Sequence, residues 1–165
     1  MYIILEGPNC SGKTTVIQSK LSKIKARLPI CVLKQDITEK SFKDALVFFL
    51  KTSDPSKLID WHHLFYTQRV VPLLGDNLVI MDRFFPSLTA YQKVDPKEIL
   101  KRDWGEPLYI FLPRAPIERV MRTLAARDST KVHTTSEVQA QQASQFNGYQ
   151  LFLQELQNIE QGLTL

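Results

Sequence analysis

The sequence predicts a three-layer α/β fold, with a parallel sheet of four to five strands and helices on both faces. Two observations predict it. Short apolar runs recur along the chain, and stretches with apolar residues three and four apart lie between them. Strands alternating with helices imply a parallel sheet, because each crossover helix returns the chain in the same direction and covers one face. The first apolar run also leads straight into a glycine-rich loop and then a helical pattern, the strand–loop–helix order of a parallel α/β unit.

Residues 2–5 are apolar and precede the glycine loop, so they read as a buried strand. Residues 14–27 read as a helix, with Val16, Leu21, Ile24 and Leu28 on one side. Pro29 leads into a second strand at residues 30–33, and residues 41–51 are helical. Pro55 opens a longer helix reaching about residue 74. Pro72 does not suit a helix interior, so a kink or early end is expected there. Gly75-Asp76-Asn77 is a stop signal. Residues 78–81 form a third strand ending at Asp82, and residues 108–112 a fourth. Pro116 suits the first turn of a helix running to residue 126. The final helix runs from residue 136 to about 159, with Phe146, Tyr149, Phe152, Leu153 and Leu156 at spacings of three and four.

At 165 residues the chain is expected to be one domain, 1–165. Apolar residues make up 44% and charged residues 23%, within the range of globular proteins. The net charge of +4 comes without a dense Lys/Arg block, so a nucleic-acid-binding face is not indicated. No apolar run approaches the ~20 residues that span a bilayer, and no leader pattern is seen. Cys10 and Cys31 lack metal-site spacing and are expected to be reduced thiols of a cytoplasmic protein, host cytoplasm if the source is viral.

The stretch from Gly7 to Thr14 has the form G-x-x-x-x-G-K-T. Gly7 and Gly12 permit a tight turn in which several N–H groups face one point, and the next helix adds its positive end. Lys13 brings a mobile charge for β- and γ-phosphates, and the Thr14 hydroxyl suits Mg²⁺. The expected ATP loop is thus Gly7, Pro8, Asn9, Cys10, Ser11, Gly12, Lys13, Thr14 and Thr15. Asp82 ends a buried strand where an α/β site lies, and could hold Mg²⁺ or simply cap the next helix.

A phosphate loop alone does not separate kinase from hydrolase or motor. Phe65 and Arg69 lie four apart, so on a helix they share a face and could stack on and hydrogen-bond a nucleobase. Ordinarily such a Phe is core and such an Arg a solvated charge. Arg83 follows the strand-end carboxylate and could clamp an acceptor phosphate.

Taken together, four stretches resemble the thymidylate kinase family, in that family's order. They are LEGPNCSGKTT, LFYTQRVVPLL, DRFFPSLTAYQ and LYIFLPRAPIERVMRTLAARD. The third is the most specific. The resemblance implies transfer of the terminal phosphoryl group of ATP to dTMP, giving dTDP, with Mg²⁺. Lys13 and Thr14 would handle the donor phosphates and metal. Phe65 would stack on thymine and Arg69 bond its edge. Asp82 would organise the metal and Arg83 grip the acceptor phosphate. Ser87 would lie near the base, and Tyr91 would crowd the sugar 2′ position.

The chain departs from that pattern in four places. Asn9 stands where the family has a carboxylate that contacts the sugar 3′-OH. Leu33-Lys34-Gln35-Asp36 replaces a basic motif on strand two, with Lys34 a candidate for its role. Cys10 stands where some members have an Arg, which points to Arg122 and Arg127 in a lid at about 119–135, Arg127 being favoured. The chain also stops soon after its long helix, as a compact viral or phage variant would. A homodimer through helices is left open, with Phe42, Val47 and Phe48 as an apolar face. The alternatives are a deoxynucleoside kinase, another monophosphate or polynucleotide kinase, and a nucleotide-binding module without catalysis.

Overall fold

The computed structural model describes residues 1–20, 23 and 27–162. Its strands are β1 (Tyr2–Glu6), β2 (Ile30–Leu33), β3 (Leu78–Asp82) and β4 (Pro107–Phe111). They form one four-stranded sheet in the order β2-β3-β1-β4, and every pairing is parallel. Leu5 pairs with Asp82, and Glu6 with Phe111. The C-terminal ends of the three strands therefore lie level, and the loops that leave them converge on one edge.

Successive residues of β1 point to opposite faces. Tyr2 and Ile4 join a large core with Leu58, Val79, Met81, Phe85 and Phe152. Ile3 and Leu5 join a smaller one with Ile17 and Ile80. Both faces are buried, which is why β1 and β3 read as unbroken apolar runs rather than alternating ones.

The helices are α1 (Lys13–Ser19), α2 (Lys40–Thr52), α3 (Ser56–Phe65), α4 (Pro86–Gln92), α5 (Pro96–Leu100), α6 (Ile117–Arg127) and α7 (Thr135–Gly162). Of the helix expected at 14–27, the described part is α1, ending at Ser19. Leu21 and Ile24 lie outside the described residues, and Leu28 is 42% exposed rather than core-facing. The expected helix 55–74 changes winding instead of running through. After α3, Tyr66–Val70 form a π-turn and Val71–Leu73 a 3₁₀ turn. Pro72 explains the change: it has no N–H for the ladder, and its ring would crowd the carbonyl one α-turn back.

The short helix α5 escaped the sequence reading. Its signal is Asp95-Pro96: the Asp95 carboxylate accepts the Lys97 N–H at 2.9 Å, and Pro96 opens the helix. Residues 119–127 of the expected lid belong to α6, and 128–134 connect it to α7. Residues 163–165 lie outside the described residues. No described helix is long and apolar enough to cross a membrane.

Helix α7 packs on α4 through a glycine. A Cβ on Gly148 would fall 2.5 Å from Ala90 Cα and 2.9 Å from the Thr89 carbonyl oxygen. Backbone cannot yield as a flexible side chain would. Gly148→Ala should therefore destabilise the fold by ~1–3 kcal/mol, despite the better helix propensity of Ala. Urea unfolding measures this, and an unchanged or raised midpoint would show that α4 and α7 are not locked together here.

Candidate functional site

The loop after β1 turns on three residues with positive φ: Gly7 at 151°, Cys10 at 62° and Gly12 at 93°. A Cβ at Gly7 would meet Ser11 Oγ at 2.7 Å, so glycine is required there. The Lys13 ammonium donates to the Gly7 and Pro8 carbonyls at 2.7 and 2.9 Å and to Ser11 Oγ at 3.2 Å. Its pKa is lowered to about 8, first by burial and then by the nearby Arg83 charge.

Around this loop lies a polar cavity of about 250 Å³. Its walls carry Asn9 to Thr15, Lys34, Asp82, Arg83, Arg119, Thr123 and Arg127. Gly7 and Pro8 stand behind the wall and supply carbonyls to Lys13. The sequence reading missed Arg119. It lies i, i+4, i+8 with Thr123 and Arg127 on one face of α6, and its guanidinium would sit 3.3 Å from a Cβ on Gly12. That spacing was visible in the sequence. Arg122 falls on another face of α6 and is exposed, outside the cavity.

A second cavity of about 120 Å³ adjoins the first. Phe42, Phe84, Ile37 and His62 give it an apolar lining, with Gln35, Ser87, Tyr91 and Gln92 at its edges. Lys34, Asp82 and Arg83 line both cavities. A larger open groove of about 960 Å³ runs between α4–α5 and α7, and no residue of the glycine loop lines it. Size alone therefore does not mark the site.

Arg83 is the hinge between the two cavities. It takes a left-handed φ of 66° directly after β3, a costly conformation for a side chain of this size. Its Nη2 donates to Asn9 Oδ1 at 2.6 Å, and its guanidinium lies 4.8 Å from the Tyr91 ring centroid. Tyr91 OH donates to the same Asn9 oxygen at 3.2 Å. Asn9, expected at a sugar hydroxyl, thus spends its side-chain oxygen on Arg83 and Tyr91. Asp82 and Thr14 both line the polar cavity, and their hard oxygens are of the kind Mg²⁺ takes.

Three other candidates sit differently from expectation. Ser87 lines the apolar cavity, but its hydroxyl is 3.0 and 3.2 Å from the Glu6 carboxylate oxygens. Phe65 packs edge-on to Phe84 with centroids 6.1 Å apart, and lines neither cavity. Arg69 is exposed on the π-turn and lines neither. In their place the wall carries His62, a residue the sequence did not single out. Burial pushes its pKa down to about 4, so it is neutral. Its Nδ1 is 3.0 Å from the Leu58 carbonyl, which can only accept. Nδ1 therefore carries the proton, and Nε2 is left as an acceptor.

Glu6 is the buried carboxylate of the site, with no exposed surface. It accepts the Phe84 N–H at 2.6 Å and the Tyr149 hydroxyl at 2.8 Å, besides Ser87. Burial still raises its pKa from 4.5 to about 7, against the lowering effect of these bonds.

No family model matches the chain, and no curated protein does. Among solved structures, the chain is similar to the crystal structure of thymidylate kinase from Ehrlichia chaffeensis. That likeness has 22% sequence identity and a TM-score of 0.48, and covers 81% of this chain and 84% of that one. The fold assignment rests on the parallel strand order and the glycine loop.

The raised pKa of Glu6 makes stability depend on pH. Its folded value exceeds its unfolded one, so its contribution is full below about 4.5 and is lost as pH rises through about 7. The isosteric Glu6→Gln removes the ionisation. Relative to wild type, this variant should gain stability between pH 5 and pH 8, by an amount on the order of 3 kcal/mol at most. Urea midpoints at the two pH values test it. A difference between the two proteins that does not vary with pH would mean that Glu6 ionises normally.

Proposed function

We propose that the protein is a Mg²⁺-dependent nucleoside monophosphate kinase that transfers the terminal phosphoryl group of ATP to dTMP, giving ADP and dTDP. One observation carries the reading. A polar phosphate-loop cavity and an aromatic-lined cavity adjoin, and Lys34, Asp82 and Arg83 stand in the walls of both. A hydrolase needs only the first cavity. Two cations between the cavities suit an acceptor that already bears a phosphate, in preference to a bare nucleoside.

In this reading an oxygen of the acceptor phosphate attacks the γ-phosphorus of ATP, and the bond from that phosphorus to the β,γ-bridging oxygen breaks. The loop N–H groups and Lys13 hold the donor phosphates. Arg83 and Lys34 hold the acceptor phosphate in line, with Arg83 itself fixed by Asn9 and Tyr91. Arg119 and Arg127 add positive charge over the group in transfer. Thr14 and Asp82 would hold Mg²⁺, which would supply charge neutralisation on the donor phosphates.

The base would lie between the rings of Phe42 and Phe84. His62 Nε2, as an acceptor, suits a ring N–H such as that of thymine. The Gln35 amide nitrogen, buried and without a hydrogen-bond partner, can then serve the adjacent carbonyl. Phe65 supports this wall through Phe84, and Arg69 stands outside it. Catalytic roles for Lys13, Arg83, Arg119 and Arg127 and substrate roles for Asn9, Ser87 and Tyr91 belong to the same proposal, as does a cytoplasmic location.

A coupled assay of ATP against a panel of nucleosides and nucleoside monophosphates tests the function. Transfer to dTMP above dCMP, with none to thymidine, is expected. Transfer to thymidine alone would replace this reading with a nucleoside kinase. Lys13→Ala should lower turnover ~100-fold or more, from the lost charge contact in the transition state. Circular dichroism would show that the variant keeps its fold, and near-normal turnover in it would remove the donor site.

The α6 arginines give a second prediction. Arg119→Ala should lower turnover at least ~10-fold with a smaller change in the KM for ATP, since a cation over the transferred group acts chiefly in the transition state. Arg122→Ala should change neither by more than about twofold. Steady-state kinetics of the two variants check this, and the reverse order of effects would show that α6 presents a different face.

A further inference from the structure

We infer that Gln142 and Gln145 of α7 are positioning residues that clasp the phosphate loop at residue 9 and act through Asn9 on Arg83. The two are three residues apart on one helix face, and only 5% and 3% exposed. Gln145 Oε1 accepts the Asn9 backbone N–H at 2.9 Å. Gln142 Nε2 donates to the Asn9 carbonyl at 2.7 Å. The chemistry fixes both amide orientations, since an N–H needs an acceptor and a carbonyl a donor. Gln142 must accordingly leave its own Oε1 buried without a partner. A buried orphan oxygen is unfavourable, so the clasp is held in spite of that cost.

Both peptide groups of residue 9 are thus tied to a helix that is itself anchored. Gly148 seats α7 on α4, and Tyr149 OH bonds to Glu6. With its backbone held at both ends, Asn9 can aim Oδ1 at Arg83 Nη2, 2.6 Å away. Released, residue 9 would turn on a loop whose nearest backbone bond runs from Ser11 N–H to the Pro8 carbonyl. Arg83 would then lose its only side-chain hydrogen-bond partner among the described residues. The glutamines touch neither the polar nor the apolar cavity, so their effect passes through position 9.

This inference rests on the proposed kinase reading, and its test separates the two. Gln142→Met and Gln145→Met remove the bonds at nearly constant volume. Each should lower kcat ~10–100-fold, as misplacement of a reacting group does, with the KM for ATP within about threefold. Gln145→Glu keeps an acceptor and should restore most of what Gln145→Met loses. In an Asn9→Ala background, Gln145→Met should cost no more than about a further twofold, because the route through Asn9 is already cut. A merely structural role would give the same loss in both backgrounds, and that result, or an effect confined to KM, overturns the proposal. Amide exchange at Asn9 is the second measurement. It should quicken at least ~10-fold in Gln145→Met and not in Gln145→Glu, and unchanged exchange overturns the clasp. If the wild type transfers phosphate to no monophosphate, the kinase reading falls, while the exchange result still decides the clasp.

Discussion

The site hangs on one buried carboxylate. Glu6 ends β1, and its oxygens accept from the Phe84 backbone, the Ser87 hydroxyl and the Tyr149 hydroxyl. Each partner belongs to a different part of the machinery. Gly7 follows Glu6 directly and starts the glycine loop. Phe84 follows Arg83, so fixing its N–H fixes the left-handed turn that brings Arg83 between the cavities. Tyr149 anchors the helix that carries the glutamine clasp. When ionised, the carboxyl accepts several bonds at once and donates none, so one side chain can gather three donors from three elements. An apolar residue at position 6 would leave the Phe84 N–H unpaired in a buried place and leave the two hydroxyls only their 3.4 Å contact with each other.

Around this hub the charges do not balance. Lys13, Lys34, Arg83, Arg119 and Arg127 face the polar cavity, with Asp82 the one acidic residue of its wall among the described residues. Burial and then Arg83 depress the Lys13 pKa, the second being repulsion between two cations held close together. Such an arrangement costs stability, and a polyanion relieves it. The aromatic cavity next door lacks that excess except along the shared wall. A ligand that is anionic at one end and aromatic at the other fits the pair of cavities in one orientation only. In the proposed reading, that asymmetry aligns donor and acceptor phosphates before any chemistry begins.

Much of this was legible in the sequence because it depends on local rules. A strand, a glycine loop and a helix follow one another along the chain, so Gly7 to Thr14 could be read directly. Asp82 and Arg83 stood out as the end of an apolar strand. The base side was harder. Helical spacing lets Phe65 and Arg69 share a face and the family resemblance implies that they meet a base, but whether a ring faces a cavity or a core depends on what packs opposite. Here Phe84 fills that place, and His62, three residues earlier on α3, reaches the cavity instead. The clasp was not legible at all. Gln142 and Gln145 sit in a run rich in Gln, and nothing local shows that two of these amides are buried against residue 9, well over a hundred positions away. Arg119 falls between these cases. Its spacing from Thr123 and Arg127 was visible, yet only the placement of α6 over Gly12 gave that spacing a meaning.

Four buried side-chain polar atoms among the described residues have no hydrogen-bond partner: Gln35 Nε2, Arg83 Nε, Thr89 Oγ1 and Gln142 Oε1. Each such group costs on the order of 1–3 kcal/mol, so a fold retains few without cause. Chance would scatter them. Instead, three of the four gather at the site: Gln35 lines the aromatic cavity, Arg83 lines both cavities, and Gln142 holds the loop of the polar one, while Thr89 lines the groove between α4–α5 and α7. Local rules are expected to fail where function needs a group held ready instead of satisfied. In the proposed reading, the missing partners of Gln35 and Arg83 are the acceptor's base and phosphate, and binding would complete the bonds that folding left open. The strain in the Arg83 backbone belongs to the same account. A left-handed arginine with an unpaired Nε is unfavourable twice over, and in the proposed reading both costs hold it at the one position from which its charge reaches donor and acceptor together.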